Sequence, residues 1–200
     1  MPSTPRAAST AQPRRTRVWL LAAVLALTAP TLGGCGGGSA SGSVSIQRER
    51  AALVSYLQQV EPIRLAVNRL LEGADPILSA YRDGRISSQQ ASLRMGALER
   101  RFAAYTVDMA ALQPATAQLR SLNDPYAHTY ILEDAYLSAL TAGLAARNLG
   151  GLPNTQAAQR ATIIQWRTAL TVLARRAALA LPGDLQAAGR GEIAPSPGGS

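Results

Sequence analysis

The sequence has 200 residues, of which 47% are hydrophobic, 4% aromatic and 16% charged, and its formal net charge is +8. This composition is typical of a folded domain built from Ala- and Leu-rich helices, and it excludes an acidic disordered chain. A single Cys excludes intramolecular disulfides and multi-cysteine zinc or iron-sulfur sites, and a single His excludes the paired-histidine motifs of most metalloenzymes.

The positive charge is concentrated at the N-terminus. All 20 basic residues are Arg, and the first 34 residues hold four of them and no acidic residue. The rest of the chain therefore carries 16 Arg against 12 Asp and Glu, with no run of Arg interleaved with aromatic residues. Because a nucleic-acid interface needs such a concentrated basic surface, we expect no nucleic-acid partner.

The N-terminal 34 residues have the three parts of a secretory signal peptide. Residues 1–17 are polar and basic, residues 18–32 are mostly apolar, and the small residues Gly33 and Gly34 follow. The apolar run of about 15 residues is shorter than the roughly 20 that a permanent membrane-spanning helix needs. We therefore predict that residues 1–34 are cleaved during export.

The end of this segment, Leu32-Gly33-Gly34-Cys35, resembles the lipobox of bacterial lipoproteins. The resemblance implies cleavage before Cys35, a thioether-linked diacylglycerol on its sulfur, and acylation of the new amino terminus, typically with palmitate. Two or more acyl chains attach a protein stably to a membrane, because each buried methylene contributes about 0.8 kcal/mol. The alternative is an ordinary signal peptide or N-terminal tail in which Cys35 has no role.

Two segments without helical periodicity flank the predicted body. Residues 35–44 comprise the lipidated Cys35 and a Gly- and Ser-rich stretch, which predicts a flexible tether. Residues 182–200 are rich in Pro, Gly and Ala, which predicts a disordered C-terminal tail. The folded body is therefore expected over residues 45–181, close to a membrane.

Residues 45–181 show the spacing of amphipathic helices and lack the alternation typical of strands. Four helices are predicted: 45–82, with a kink or break near 73–76; 87–112, with a Ser87–Gln90 capping box; 114–148, with a kink or restart at Pro125; and 154–181. Because the loops are short, the simplest architecture is an all-α, antiparallel up-down-up-down four-helix bundle with kinked helices.

Two ionisable residues stand at apolar positions of these helices. Arg64 interrupts the stripe of the first helix, and Glu133 shares a face with Tyr126 and Tyr130 of the third. Since an unpaired buried charge costs several kcal/mol, Arg64 and Glu133 would pair if both face the core. The four residues would then line an interhelical polar pocket for a small ligand. In the alternative, Arg64 extends past the edge of the core and Glu133 turns to water.

Residues with catalytic or metal-binding chemistry are few. His128 and Asp124 share a helix face only if Pro125 permits a regular turn, and two ligands do not make a metal site. A haem would need His128 with Met95 or Met109 as axial ligands, and the sequence has no haem attachment motif. No nucleophile elbow surrounds any Ser. We therefore expect no metal, no cofactor and no enzymatic activity.

The sequence thus predicts an exported lipoprotein, anchored by lipid at the extracytoplasmic face of the cell membrane, on the periplasmic side if an outer membrane exists. Its helical body is expected to be a non-catalytic binding or accessory module with a protein partner in the envelope. The alternative is a small-ligand receptor or sensor that uses the polar pocket. An open polar pocket would favour the receptor, whereas a dry core with a large exposed apolar patch would favour the protein partner.

Overall fold

A computed structural model describes residues 38–186 and 192–197 of the chain. Within these residues the secondary structure is helical and contains no strand, which confirms the all-α prediction there. The helices are α1 (Gly38–Leu71), α2 (Ala74–Arg82), α3 (Ser88–Ala110), α4 (Ala117–Ala146), α5 (Gln156–Arg176) and the short α6 (Gly183–Gln186). The predicted signal peptide, the lipobox and Cys35 lie outside the described residues.

Local sequence signals account for two helix boundaries. The break between α1 and α2 falls at residues 72–73, next to the predicted position, and the Gly73 N–H donates to the Leu70 carbonyl at 3.1 Å. The predicted capping box begins α3: the Ser87 hydroxyl accepts from the Gln90 N–H at 3.2 Å, and the Gln90 side chain accepts from the Ser87 N–H at 2.9 Å. The break after α1 and the start of α3 are therefore specified by neighbouring residues.

The first helix extends further towards the N-terminus than predicted. α1 begins at Gly38, so residues 38–44, expected to be a flexible tether, are helical. Once a helix exists, each added residue gains a hydrogen bond, which offsets the poor helix propensity of Gly and Ser. Residues 42–48 are exposed, and burial begins at Leu53. Residues 42–48 therefore form an exposed stretch of α1 about 10 Å long, here called the helical stalk.

Two other helices also have boundaries that differ from the prediction. α4 begins three residues after Pro114, because the Thr116 hydroxyl accepts from the Leu119 N–H at 3.1 Å and caps the helix. α4 then continues through Pro125 without a restart. α5 ends at Arg176, before the predicted residue 181, and Ala178 adopts a left-handed φ of 47° just beyond it.

Small residues allow α3 and α4 to pack against each other. Ser88 and Ser92 donate hydrogen bonds to the carbonyls of Leu144 and Thr141, at 2.6 and 3.0 Å. Gly96 follows at the same four-residue spacing, and a Cβ there would lie 3.3 Å from the Thr141 methyl group. α5 packs on α4, and α1 contacts both α3 and α5, so α1, α4 and α5 surround one region of the core.

The C-terminal part of the chain departs most from the prediction. Residues 182–200 were expected to be disordered, yet in the described ranges Leu185, Glu192 and Ala194 are buried. Leu185 and Ala194 belong to the apolar core. The prediction failed because it relied on periodicity, whereas residues 192–197, here called the C-terminal segment, are held by individual contacts.

Gly143, near the end of α4, has no room for a side chain because a Cβ there would lie 2.7 Å from the Asn148 carbonyl oxygen. We expect Gly143→Ala to lower the free energy of unfolding by about 1–3 kcal/mol, although Ala ordinarily favours a helix. In the control Gly151→Ala, where nothing lies within 4 Å of the added Cβ, the change should be below about 0.5 kcal/mol. Urea unfolding followed by circular dichroism measures the free energy of unfolding of both variants. A Gly143→Ala variant as stable as the wild type would contradict this packing.

Candidate functional site

The residues predicted to line a polar pocket are all buried. Arg64 and Glu133 are each 1% exposed, Tyr126 is 0% exposed and Tyr130 is 4% exposed. The alternative in which Arg64 reaches solvent and Glu133 turns to water is therefore wrong. Further polar side chains join them to form what we call the polar cluster: Arg64, Tyr126, Tyr130, Glu133, Gln159, Arg167 and Glu192.

Arg64 pairs with three carboxylates, and Glu133 is not among its partners in the described chain. Glu61 binds it in a bidentate manner, with Nε–Oε1 and Nη2–Oε2 distances of 3.0 and 2.8 Å. Nη2 also contacts Asp184, and Nη1 lies 3.5 Å from Oε1 of Glu192. Burial opposes the charge of Arg64, but the hydrogen bonds and charge of Glu61, with the charges of Glu192 and Asp184, raise its pKa above the ordinary value. Arg64 is therefore a permanent buried cation.

Glu133 is held by two uncharged donors. Its Oε1 accepts from the Ala194 N–H at 2.8 Å, and its Oε2 accepts from the Gln159 side-chain amide at 3.2 Å. The same amide donates to the Thr129 carbonyl at 3.1 Å. Burial raises the pKa of Glu133 to about 7, and the hydrogen bonds from Ala194 and Gln159 offset only part of this effect. Within the described residues, Arg64 and Glu133 thus do not pair with each other. Arg64 pairs with carboxylates, and Glu133 accepts hydrogen bonds from uncharged groups.

Arg167, which the sequence analysis missed, meets Arg64 at the carboxylate of Glu192. It is 6% exposed, and its Nη2 contacts Oε1 of Glu192. Its Nε and Nη1 have no hydrogen-bond partner within the described residues. A signal was present in the sequence, because Arg167 lies four residues after Ile163 and three before Leu170, on the buried stripe of α5.

Aromatic side chains hold the polar cluster in place. The Tyr126 ring stacks on Trp166, with ring centroids 3.9 Å apart and an interplanar angle of 6°. Trp166 Nε1 donates to the Tyr56 hydroxyl at 2.9 Å, which in turn donates to Asn123 Oδ1 at 3.0 Å. Burial raises the pKa of both Tyr56 and Tyr126, so both remain neutral donors. The Tyr126 hydroxyl is therefore fixed where it donates to Oε2 of Glu192, at 3.1 Å.

The main chain of the C-terminal segment is bound as well as the side chain of Glu192. The Ala194 N–H donates to Glu133, and the Ala194 carbonyl accepts from the Gln156 side-chain amide at 2.8 Å. The next carbonyl, that of Pro195, accepts from the Tyr136 hydroxyl at 3.3 Å. α4 and α5 together thus recognise both the carboxylate and the backbone of this segment.

A separate open cleft lies between α1, α2 and α3. It has a volume of about 560 Å³, and its lining includes Arg69 from α1 with Arg94, Arg101 and Tyr105 from α3, and no Asp or Glu. The apolar part of the lining includes Leu70, Ile77 and Leu98. Although the sequence has no run of Arg interleaved with aromatics, folding brings three guanidinium groups to one surface, here called the arginine cleft.

The residues considered for metal and haem chemistry lie in different environments. His128 and Asp124 are exposed and line a shallow cleft of about 320 Å³, whereas Met95 and Met109 are buried in the core. Across residues 38–186 and 192–197, no three His, Cys, Asp or Glu side chains are grouped so that they could hold a metal ion.

No protein-family model, curated protein or solved structure matches this chain significantly. None of the helices in the described ranges combines the length and apolar character needed to cross a membrane. The candidate site is therefore defined by its own geometry, in which two buried guanidinium groups and a tyrosine hydroxyl converge on one carboxylate.

Glu133 should make stability depend on pH. Its pKa rises from 4.5 to about 7 on folding, so the native chain retains a proton that the unfolded chain releases between these values. The contribution of Glu133 to stability is therefore complete below pH 4.5 and is lost as the pH rises through 7. Between pH 4.5 and 8, the wild type should lose about 3 kcal/mol relative to Glu133→Gln. Chemical denaturation of the wild type and Glu133→Gln at each pH tests this, with the exposed Glu72→Gln as control. A difference in stability between the wild type and Glu133→Gln that does not change with pH would contradict the prediction.

Glu192 should matter more for stability than Asp184, the exposed carboxylate that also contacts Arg64. Its side chain is 2% exposed, and within the described residues it is the single carboxylate that contacts Arg167. Glu192→Gln leaves that guanidinium buried without a counter-charge, so we expect a loss of about 3–5 kcal/mol. Asp184, whose side chain is 44% exposed, shares Arg64 with Glu61, and Asp184→Asn should cost less than about 1 kcal/mol. Equal losses of stability for Glu192→Gln and Asp184→Asn in thermal unfolding would contradict this prediction.

Proposed function

We propose that this chain is an exported lipoprotein, anchored at Cys35, whose body is a non-catalytic binding module for a protein partner in the cell envelope. The body acts at the extracytoplasmic face of the membrane, on the periplasmic side where an outer membrane exists. In this proposal α1 and α2 together form one rod of an antiparallel four-helix bundle, with α3, α4 and α5 as the others. The lipobox residues Leu32, Gly33 and Gly34 support the anchor.

The helical stalk is the observation that carries the proposal. Only Gly36 and Gly37 separate Cys35 from the start of α1 at Gly38. Since residues 42–48 are exposed and burial begins at Leu53, this part of α1 serves as a spacer and not as core. A lipid on Cys35 would therefore attach the body through the exposed start of α1, in which Leu53 lies about 22 Å along the helix from Gly38.

The arginine cleft supports the proposal that the protein partner binds away from the membrane. Arg69 lies about 45 Å along α1 from Gly38, so the cleft is at the end of the helix opposite the proposed anchor. Three guanidinium groups without a carboxylate in the lining attract an anionic group and give it hydrogen-bond donors in a fork geometry. An acidic surface of an envelope protein has the complementary charge.

The polar cluster supports the second candidate function, a small-ligand receptor or sensor. Arg64, Arg167 and Tyr126 hold a carboxylate in the same way in which a receptor holds an acidic ligand. Glu192 occupies this position, so the cluster is filled and not open. A small acidic ligand would therefore have to displace Glu192, which is why we place the protein-binding role first.

Membrane fractionation with lipid labelling tests the anchor. We expect the wild-type chain in the membrane fraction with label attached, and Cys35→Ser either in the soluble fraction or as an uncleaved precursor, because Ser cannot form the thioether. Gly36→Ser is the matched control, and it should stay membrane-bound and labelled. Labelling that persists in Cys35→Ser would exclude Cys35 as the anchor.

A further inference from the structure

We infer that α4 and α5, together with Arg64 of α1, form a recognition site for a short acidic peptide of the type Glu-x-Ala-Pro, and that the chain's own C-terminal segment occupies this site. The inference deepens the proposed binding role, because it names the kind of partner segment that such a module would take. Its basis is the set of contacts made by Glu192, Ala194 and Pro195.

The carboxylate is the first recognition element. Glu192 lies between two guanidinium groups from different helices, Arg64 of α1 and Arg167 of α5, and it also accepts from the Tyr126 hydroxyl of α4. Charge-assisted hydrogen bonds of this kind are stronger than neutral ones, and a buried site makes them selective. A peptide with Gln at this position keeps the shape but loses the charge that two buried arginines require.

The backbone is the second recognition element. Glu133 and Gln156 bind the N–H and the carbonyl of Ala194, and the Tyr136 hydroxyl binds the carbonyl of Pro195. Such main-chain bonds give affinity without depending on side-chain identity, whereas pockets for individual side chains give specificity. Ala194 is 2% exposed, so the site accepts only a small residue two positions after the Glu.

Within the described residues, the C-terminal segment satisfies part of the Arg167 side chain and leaves the rest without a partner, which supports a binding site in addition to a folding contact. Nε and Nη1 of Arg167 are buried without a hydrogen-bond partner within the described residues. Buried donors are ordinarily satisfied, and leaving them unsatisfied is costly. A segment from another protein that offers these donors a further acceptor oxygen would bind better than the chain's own segment, and this difference provides a driving force for exchange.

The covalent link between segment and body determines how the exchange would be observed. An intramolecular occupant has an effective concentration in the millimolar range, so it competes strongly with a free peptide. Free peptide should therefore bind weakly to the wild-type chain. It should bind much more tightly to a chain whose own segment lacks the carboxylate.

The experiment uses the full chain in detergent micelles and a fluorescently labelled, N-acetylated peptide of residues 192–197. Fluorescence anisotropy gives the dissociation constants. We expect the peptide to bind Glu192→Ala at least about tenfold more tightly than the wild type, and at least about tenfold more tightly than a control peptide with Gln in place of Glu. Asp184→Ala is the matched control chain, because it removes an exposed carboxylate from Arg64 but leaves the occupant in place, so it should bind the peptide as weakly as the wild type.

Helix content decides the result if Glu192→Ala does not fold alone. Circular dichroism at 222 nm is then recorded during titration with each peptide, and recovery of helix with the Glu peptide but not with the Gln peptide supports the proposal. Equal affinity for the two peptides, or neither binding nor recovery of helix, would overturn it. Membrane attachment through Cys35 is measured independently, so failure here leaves the lipoprotein proposal standing, and failure of lipid labelling leaves this site standing.

Discussion

The structure depends on the burial of two arginines around one carboxylate. Arg64 of α1 and Arg167 of α5 lie 103 positions apart in the sequence, and both contact Glu192 of the C-terminal segment. Burying a guanidinium group costs several kcal/mol unless it is paired. Glu192 therefore ties α5 and the C-terminal segment together through Arg167, and it adds a contact to Arg64, which Glu61 of the same helix also pairs. Tyr126 reinforces the arrangement, because its hydroxyl binds the same carboxylate while its ring stacks on Trp166.

This constraint gives the body two surfaces with different character. Near the polar cluster, the C-terminal segment already satisfies most of the recognition groups of α4 and α5. At the arginine cleft, Arg69, Arg94 and Arg101 face an open volume without a carboxylate in its lining. One surface therefore carries an internal occupant, and the other is available to an external anionic group.

The helices were predictable because their signals are local. The four-residue and three-residue spacing of apolar positions in α3, from Ala91 through Met95 to Met109, corresponds to buried residues. The same spacing set Arg64 and Glu133 at apolar positions of their helices, but it left open whether their side chains are buried or reach water. It did not identify their partners, because Glu61, Gln159 and Glu192 carry no pattern that distinguishes them from other polar residues. The tail was mispredicted because its composition lacks periodicity, and single contacts leave no periodic signature.

The sequence by itself determined the helical class, the capping box of α3, the break after α1 and the apolar helix positions of Arg64 and Glu133. These features depend on residues within a few positions of each other, so the backbone geometry of a helix is enough to infer them. Only the tertiary structure decided that Arg64 pairs with Glu192 and not with Glu133, that Arg167 shares this carboxylate, and that three arginines meet in one cleft. Those outcomes depend on how helices distant in sequence pack, and the desolvation of each charged group selects its partner only once that packing exists.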